Sequence, residues 1–356
     1  MKRSVLSLAL CGALALSGCS SLLERPYVMV EPHTEQPVLS EDSSALQVET
    51  YSELVSAVLF LVSQGEESGT IQLIDYRGDV EEDLQRACLE VSEDDPLGAF
   101  AVDIITHSYT RVLTTYEASL TISYRRTREQ IQSLRTVSST NSIRQEVARA
   151  LEEYRPEQAL RVSYFTGDAD TVVELIRQAY YDAPDSAMGM PQYSVALYPD
   201  SGTGVQRIVE MVFSYPAPVE LMQTRRAQLQ AQVAELAASL PTQQYEENAR
   251  QSLLFYLLPT AVTYDPEGGS TAWDAIVGTG ADSEGLALAF QVLAEELGVG
   301  SSLVIGELDG QPHFWNRLSS DGGTHYVDLT RNSSGTTYSA EDLLSLGYVW
   351  DDAPEI

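Results

Sequence analysis

GADSEGLALAFQVLAEELGV, residues Gly280 to Val299, reads as a glycine-containing turn that enters a helix, because Leu286, Ala289, Phe290, Leu293 and Leu297 recur at helical spacing. Ser283 and Glu284 then stand at the start of an amphipathic helix. A nucleophile at that point feels the positive end of the helix dipole and lies beside unpaired backbone N–H groups that can hold an oxyanion. Two later segments, HFWN (His313 to Asn316) and YVDLT (Tyr326 to Thr330), are separated by the polar turn Ser319 to Gly323 and read as paired strands. A helix-tip residue facing a strand histidine that a carboxylate orients is acyl-transfer geometry. The candidate catalytic set is Ser283, His313 and Asp328, with Glu284, Gly285, Trp315 and Asn316 in support. Taken alone, His313 also reads as a hydrogen-bonded, half-buried histidine between two strands.

The three segments together resemble the bacterial transglutaminase-like domains of the papain-like cysteine peptidase superfamily. Their pattern is a helix start reading C-E-G-Y-A, then an H-A-W-N strand, then V-D-x-T; here SEGLA, HFWN and YVDLT stand in the same order. The likeness extends upstream through NARQSLLFYLLPTAVTYDPEGGSTAWDAIVG and downstream through YSAEDLLSLGYVWDDAPE, so it covers residues 241–356. One departure bears on activity. The position of the family's cysteine is Ser283 when the match is anchored on Glu284 and Gly285, and Asp282 when it is anchored on Gly280. A cysteine at a helix terminus beside a histidine is partly thiolate near neutral pH, whereas a serine hydroxyl needs a base aligned to take its proton. The resemblance therefore implies an α+β domain with one of two roles. Either the site is catalytically silent and its groove binds a peptide or cell-wall ligand, or Ser283, His313 and Asp328 form a serine-dependent acyl-transfer or amidase site acting on peptides or peptidoglycan stems. Neither role calls for a cofactor or a metal.

The start of the chain is a processing signal. Lys2 and Arg3 form a charged n-region, Val5 to Ala15 is an apolar run too short to span a bilayer, and Leu16-Ser17-Gly18-Cys19 resembles a bacterial lipobox. That resemblance implies a signal peptide over residues 1–18, cleavage before Cys19, diacylglycerol on its sulfur, and a chain tethered to the membrane on its extracytoplasmic face. Residues 19–50 carry Pro26, Pro32 and Pro37 among Glu and Ser without sustained periodicity, and read as a flexible tether.

Between the tether and the C-terminal domain the order of elements reads as an internal duplication, residues 51–135 and 140–218. Each copy runs through a helix, a strand, a Gly-Asp turn (Gly78-Asp79, Gly167-Asp168), a second helix and two strands. Asp79 and Asp168, and again Tyr124 and Tyr215, recur at a spacing of about 90 residues. Asp79, and Asp168 or Asp170, suit helix N-caps. Each copy is predicted to be a small α+β module, helices on a largely antiparallel sheet. Pro216 and Pro218 close the second and open a connecting helix over 219–240, whose stripe of Leu221, Leu229, Val233, Leu236 and Leu240 predicts one-sided packing.

Composition narrows the partners. The formal net charge is −31, and about −33 once Lys2 and Arg3 leave with the signal. Such a surface repels nucleic acid. With Cys11 in the signal and Cys19 acylated, Cys88 is the one remaining thiol, so no intramolecular disulfide is expected; its helical neighbours Leu84, Ala87 and Val91 make it a buried structural residue. Four histidines, His33 and His107 among them, give no Cys/His metal set. Tyr180, Tyr181, Tyr193 and Tyr198 cluster in the second module, where they serve either as stacking platforms or as half-buried strand residues.

Overall fold

The structure is a computed structural model and describes residues 46–200, 206–241, 246–320, 323–332 and 334–351. Cys19, the expected signal segment and the expected tether up to residue 45 lie outside the described residues. The protein is mixed α+β with three small sheets.

The first unit comprises β1 (Leu46–Val48), α1 (Tyr51–Gln64), β2 (Ser68–Leu73), α2 (Val80–Leu89), α3 (Pro96–Ala101), β3 (Val102–Val112) and β4 (Thr115–Tyr124). Its sheet has the order β1-β2-β4-β3, with β1 parallel to β2 and the other pairs antiparallel. Local chemistry fixes the helix starts. Thr50 and Glu53 close a capping box on α1, and the Asp79 side chain accepts from the N–H groups of Glu81 and Glu82 at the head of α2. Residues 46–48, expected in the tether, form β1 instead. Leu46 and Val48 are buried against Ile71 and Leu73, and two apolar side chains on one face are enough to dock a three-residue strand that composition alone cannot reveal.

After the first sheet α4 (Arg128–Gln132) packs Ile131 into the first unit's core, and the second unit comprises β5 (Arg135–Val137), α5 (Thr140–Glu152), β6 (Glu157–Val162), α6 (Ala169–Tyr181), β7 (Gln192–Tyr198) and β8 (Arg207–Ser214). Its sheet order is β5-β6-β8-β7, again with one parallel pair, β5 on β6. Arg135, placed by the sequence at the end of the first module, therefore belongs to the second sheet. The outer face of that sheet is covered by the first unit: Ile208 is fully buried in the first unit's core, and Tyr198 meets Phe100 of α3 edge-to-face at 5.5 Å. Arg126 pins the contact, its guanidinium stacked 5.1 Å over Phe100 and paired at 2.7 Å with Glu210, which also accepts from Tyr198.

The connecting helix α7 (Val219–Ala238) buries Met222, Leu229 and Val233, while Leu221 is 42% exposed, so the stripe is one residue out of phase with the expected one at its start. After it come α8 (Glu247–Ala261), β9 (Tyr264–Gly269), α9 (Ala272–Ile276), α10 (Ser283–Glu296), β10 (Ser301–Leu308), β11 (Gln311–Ser320), β12 (Gly323–Val327), β13 (Thr337–Tyr338), α11 (Ala340–Ser345) and β14 (Tyr348–Val349). The sheet order is β13-β12-β11-β10-β14, with every pair antiparallel. The expected amphipathic helix α10 is buried all round from Gly285 to Ala294. A helix that is apolar on every face is a core helix, and α10 sits between the second unit and the third sheet, with Leu288, Phe290 and Leu293 in one continuous cluster with Val172, Ile176 and Val327. Burial of a residue such as Phe290 contributes about 1.5–3 kcal/mol. Cys88 is buried, and desolvation pushes its thiol up to about 11, which keeps it inert.

Candidate functional site

Asp282, not Ser283, is the N-cap of α10. Its Oδ1 accepts from the Gly285 N–H at 3.0 Å and its Oδ2 from the Ser270 hydroxyl at 2.6 Å, which occupies the carboxylate in holding the turn. Ser283 follows as the first helical residue and is half-buried. Gly285 is a close-packing position. A Cβ there would come within 2.6 Å of the Ala281 Cβ and 2.8 Å of the Thr271 carbonyl oxygen, so only glycine lets α10 lie against the head of α9.

On β11, alternation separates two sets of side chains. Asn316 donates to the Ala287 carbonyl at 3.0 Å and Leu318 joins the core that contains α10, so this face of the strand is anchored to the helix one turn beyond Ser283. His313 and Trp315 project from the opposite face. The histidine ring lies 6.1 Å from Trp315 in a stacked arrangement and 5.7 Å from Tyr348, and Trp315 meets Tyr348 and Trp350 edge-on. Gly306, opposite His313 in the β10–β11 register, makes room for this packing, since a Cβ there would stand 2.3 Å from the Val349 carbonyl.

The structure brings His313 and Asp328 together: Nε2 lies 2.7 Å from Oδ2. Asp328 is 1% exposed and its oxygens are fully engaged. Oδ2 also accepts from the Tyr348 hydroxyl, and Oδ1 accepts from the Thr330 N–H at 2.9 Å and the Thr330 hydroxyl at 2.8 Å. Arg331 in turn donates to Tyr348 at 2.7 Å. Burial pushes the Asp328 carboxyl up, but the hydrogen bond and charge of His313, with Tyr348 and Thr330, outweigh it and hold the group below its ordinary value. The ionised Asp328 accepts a hydrogen bond from Nε2–H, which fixes the orientation of the ring. Among the described residues no hydrogen bond joins Ser283 to His313.

Glu284 reaches the other way. Its Oε1 accepts from the Tyr181 hydroxyl of α6 at 3.0 Å, and Tyr181 also lies 6.0 Å from Phe314 and receives the Gln291 side-chain N–H on its carbonyl. Burial, only partly offset by Tyr181 and reinforced by the negative Asp282, pushes the Glu284 carboxyl up to about 7. Sequence reasoning named Tyr181 only as one of a tyrosine cluster and did not single out Tyr348 and Thr330. Thr330 and Tyr348 stood inside matched segments, whereas nothing local tied Tyr181 to a helix 103 residues away. Of the other tyrosines of that cluster, Tyr180 is buried, Tyr193 is partly buried against the core and Tyr198 lies between the first two units. No group of three or more His, Cys, Asp or Glu among the described residues is arranged to hold a metal, and no helix among them is long and apolar enough to cross a membrane.

In comparisons with known proteins, no family model matches the chain and no curated protein matches it. A solved structure described as the crystal structure of a TGase is similar over 51% of this chain and 53% of its own length, at 14% identity and a TM-score of 0.25.

Proposed function

We propose that this is a lipid-anchored, extracytoplasmic bacterial protein whose C-terminal transglutaminase-like domain is catalytically silent and serves to bind a peptide or cell-wall ligand. The observation that carries the reading is the division of the site: His313 is locked to Asp328 on one face of β11, while Ser283 belongs to the helix layer on the other and makes no hydrogen bond to the imidazole. A serine without a base in reach does not attack an acyl group, whatever donors surround it. Phe314, Tyr181 and the exposed Ile305, whose partner across the β10–β11 ladder is Phe314, give the helix side of the sheet an apolar character suited to holding a side chain rather than cleaving beside it.

The matching order and pairing of the first two sheets support reading them as two copies of one module that space the C-terminal domain from the anchor. Anchoring itself rests on Cys19. Cys19→Ala is expected to move the protein from the membrane fraction to the soluble fraction, and continued sedimentation with membranes would remove lipidation from the proposal.

Ser283→Cys tests the silent site directly. The introduced thiol is expected to react with an iodoacetamide probe at a rate that His313→Ala leaves unchanged, because no imidazole activates it. A rate that collapses in the double variant, or peptide turnover by the unaltered protein that His313→Ala abolishes, would instead favour the serine-dependent acyl-transfer or amidase alternative.

A further inference from the structure

Sheet edges in this protein are kept short or covered, with one exception. Among the described residues β1 and β5 have three residues each, β13 and β14 two each, and the seven-residue β7 is packed by α3 of the preceding unit. β3 has eleven residues, lies at the end of its sheet, and pairs with β4 on one side only. Bare edge strands of that length present a row of unpaired N–H and C=O groups to any second strand, and proteins usually blunt them with charge, proline, a bulge or burial; β3 has a bulge only at its start, between Val102 and Ile104. β3 (VDIITHSYTRV) contains no proline and two formal charges, Asp103 at one end and Arg111 at the other. Ile104 is 55% and Val112 47% exposed.

We propose that β3 pairs with β3 of a second copy of this chain, antiparallel, about a two-fold axis at His107, joining the two sheets into one. Only one register makes the strand complementary to itself. An antiparallel two-fold pair must centre on a residue, and centring on His107 sets Asp103 opposite Arg111 of the second copy at both ends. It also places Ile105 against Tyr109, an aromatic pair with a β-branched residue, on the helix side of the sheet, and Thr106 against Ser108 on the other side. Moving the centre by one residue either way leaves all four charges without an opposite partner and sets Thr106 or Ser108 on the axis. Neither charge is committed elsewhere in a way that blocks this: Arg111 rests 5.8 Å over Tyr116 of its own sheet, and Asp103 is an exposed bulge residue. A single strand pair is a small interface, so the dimer is weak in solution and favoured where chains are crowded on a surface.

Cysteine cross-linking in the full chain tests the register. In the proposed dimer, residue 107 of one copy faces residue 107 of the other at a Cβ separation of about 4.5–5.5 Å, while equivalent residues two positions away are well beyond disulfide reach. His107→Cys is therefore expected to form a disulfide dimer under mild oxidation, with Ile105→Cys and Tyr109→Cys at the level of the unaltered chain, whose Cys88 is buried. On the His107→Cys background, Asp103→Arg or Arg111→Asp alone should cut the dimer yield at least tenfold, and the two together should restore it. Absence of the 107 cross-link, equal cross-linking along the strand, or indifference to the charge reversals would overturn the proposal.

Discussion

Replacing Asp328 by alanine is expected to destabilise the protein by about 3–5 kcal/mol, since it strips several donors of the charged acceptor they share, at about 1–3 kcal/mol each. The size follows from what the carboxylate holds. Four donors converge on it, from His313, Tyr348 and twice from Thr330, and with Asp328 gone each buried donor is left to find water where little reaches. The imidazole loses the bond that fixes its orientation, and Trp315, 1% exposed and with its own indole N–H already unpaired, loses the ring stacked beside it when His313 shifts. Asp328→Asn keeps the shape and an acceptor, so it should recover about half of the loss. Acid works in the same direction. A carboxyl held below its ordinary value contributes stability above the unfolded aspartate range near pH 4, and that contribution disappears as the pH falls through the lower folded value. Urea denaturation at neutral pH decides the point: a loss under about 1 kcal/mol for the alanine variant would mean that the network is ornamental.

That network also shows what a sequence can and cannot reveal. His313 and Asp328 stand 15 residues apart around a polar turn, and the hairpin puts them on one face, with Asp328 just past β12 in line with Trp315 and His313 diagonal to it. Helix starts were readable for the same local reason: Asp79 and Asp168 cap helices that begin one residue later, and α2 runs from Val80 to Leu89 as its periodicity indicates. What stayed hidden depends on distant partners. β1 and β5 are three residues long and exist because β2 and β6 receive them in parallel, a pairing with no local signal. The all-round burial of α10 follows from the second unit and the third sheet closing on it from two sides, so an apparently amphipathic stripe understated how apolar its surroundings are. Tyr181 belongs to the same class, since the side chain that receives its proton lies in another part of the chain.

Tyr181 and Glu284 lead to the second large effect, a pH dependence that one substitution should erase. Glu284 is held with its carboxyl at about 7 because burial at the join of α6 and α10 penalises the anion and Asp282 adds a like charge beside it. In the unfolded chain the same group ionises near 4.3. The folded state therefore keeps a proton that the unfolded state releases, so the stabilising contribution is complete below about pH 4 and is lost as the pH rises toward about 7. At about 1.36 kcal/mol per pH unit the whole loss is about 4 kcal/mol. Glu284→Gln keeps an acceptor for the Tyr181 hydroxyl and cannot ionise, so its stability relative to the unaltered protein should climb by most of that amount between about pH 5 and about pH 8. Tyr181→Phe should act oppositely on the titration, because the hydrogen bond it removes favours the anion, and without it Glu284 holds its proton to still higher pH. Urea midpoints for the three proteins across this range provide the test. A constant gap between Glu284→Gln and the unaltered protein would show that Glu284 is charged in the folded state throughout, and that the contact between α6 and the head of α10 is an ordinary solvated one.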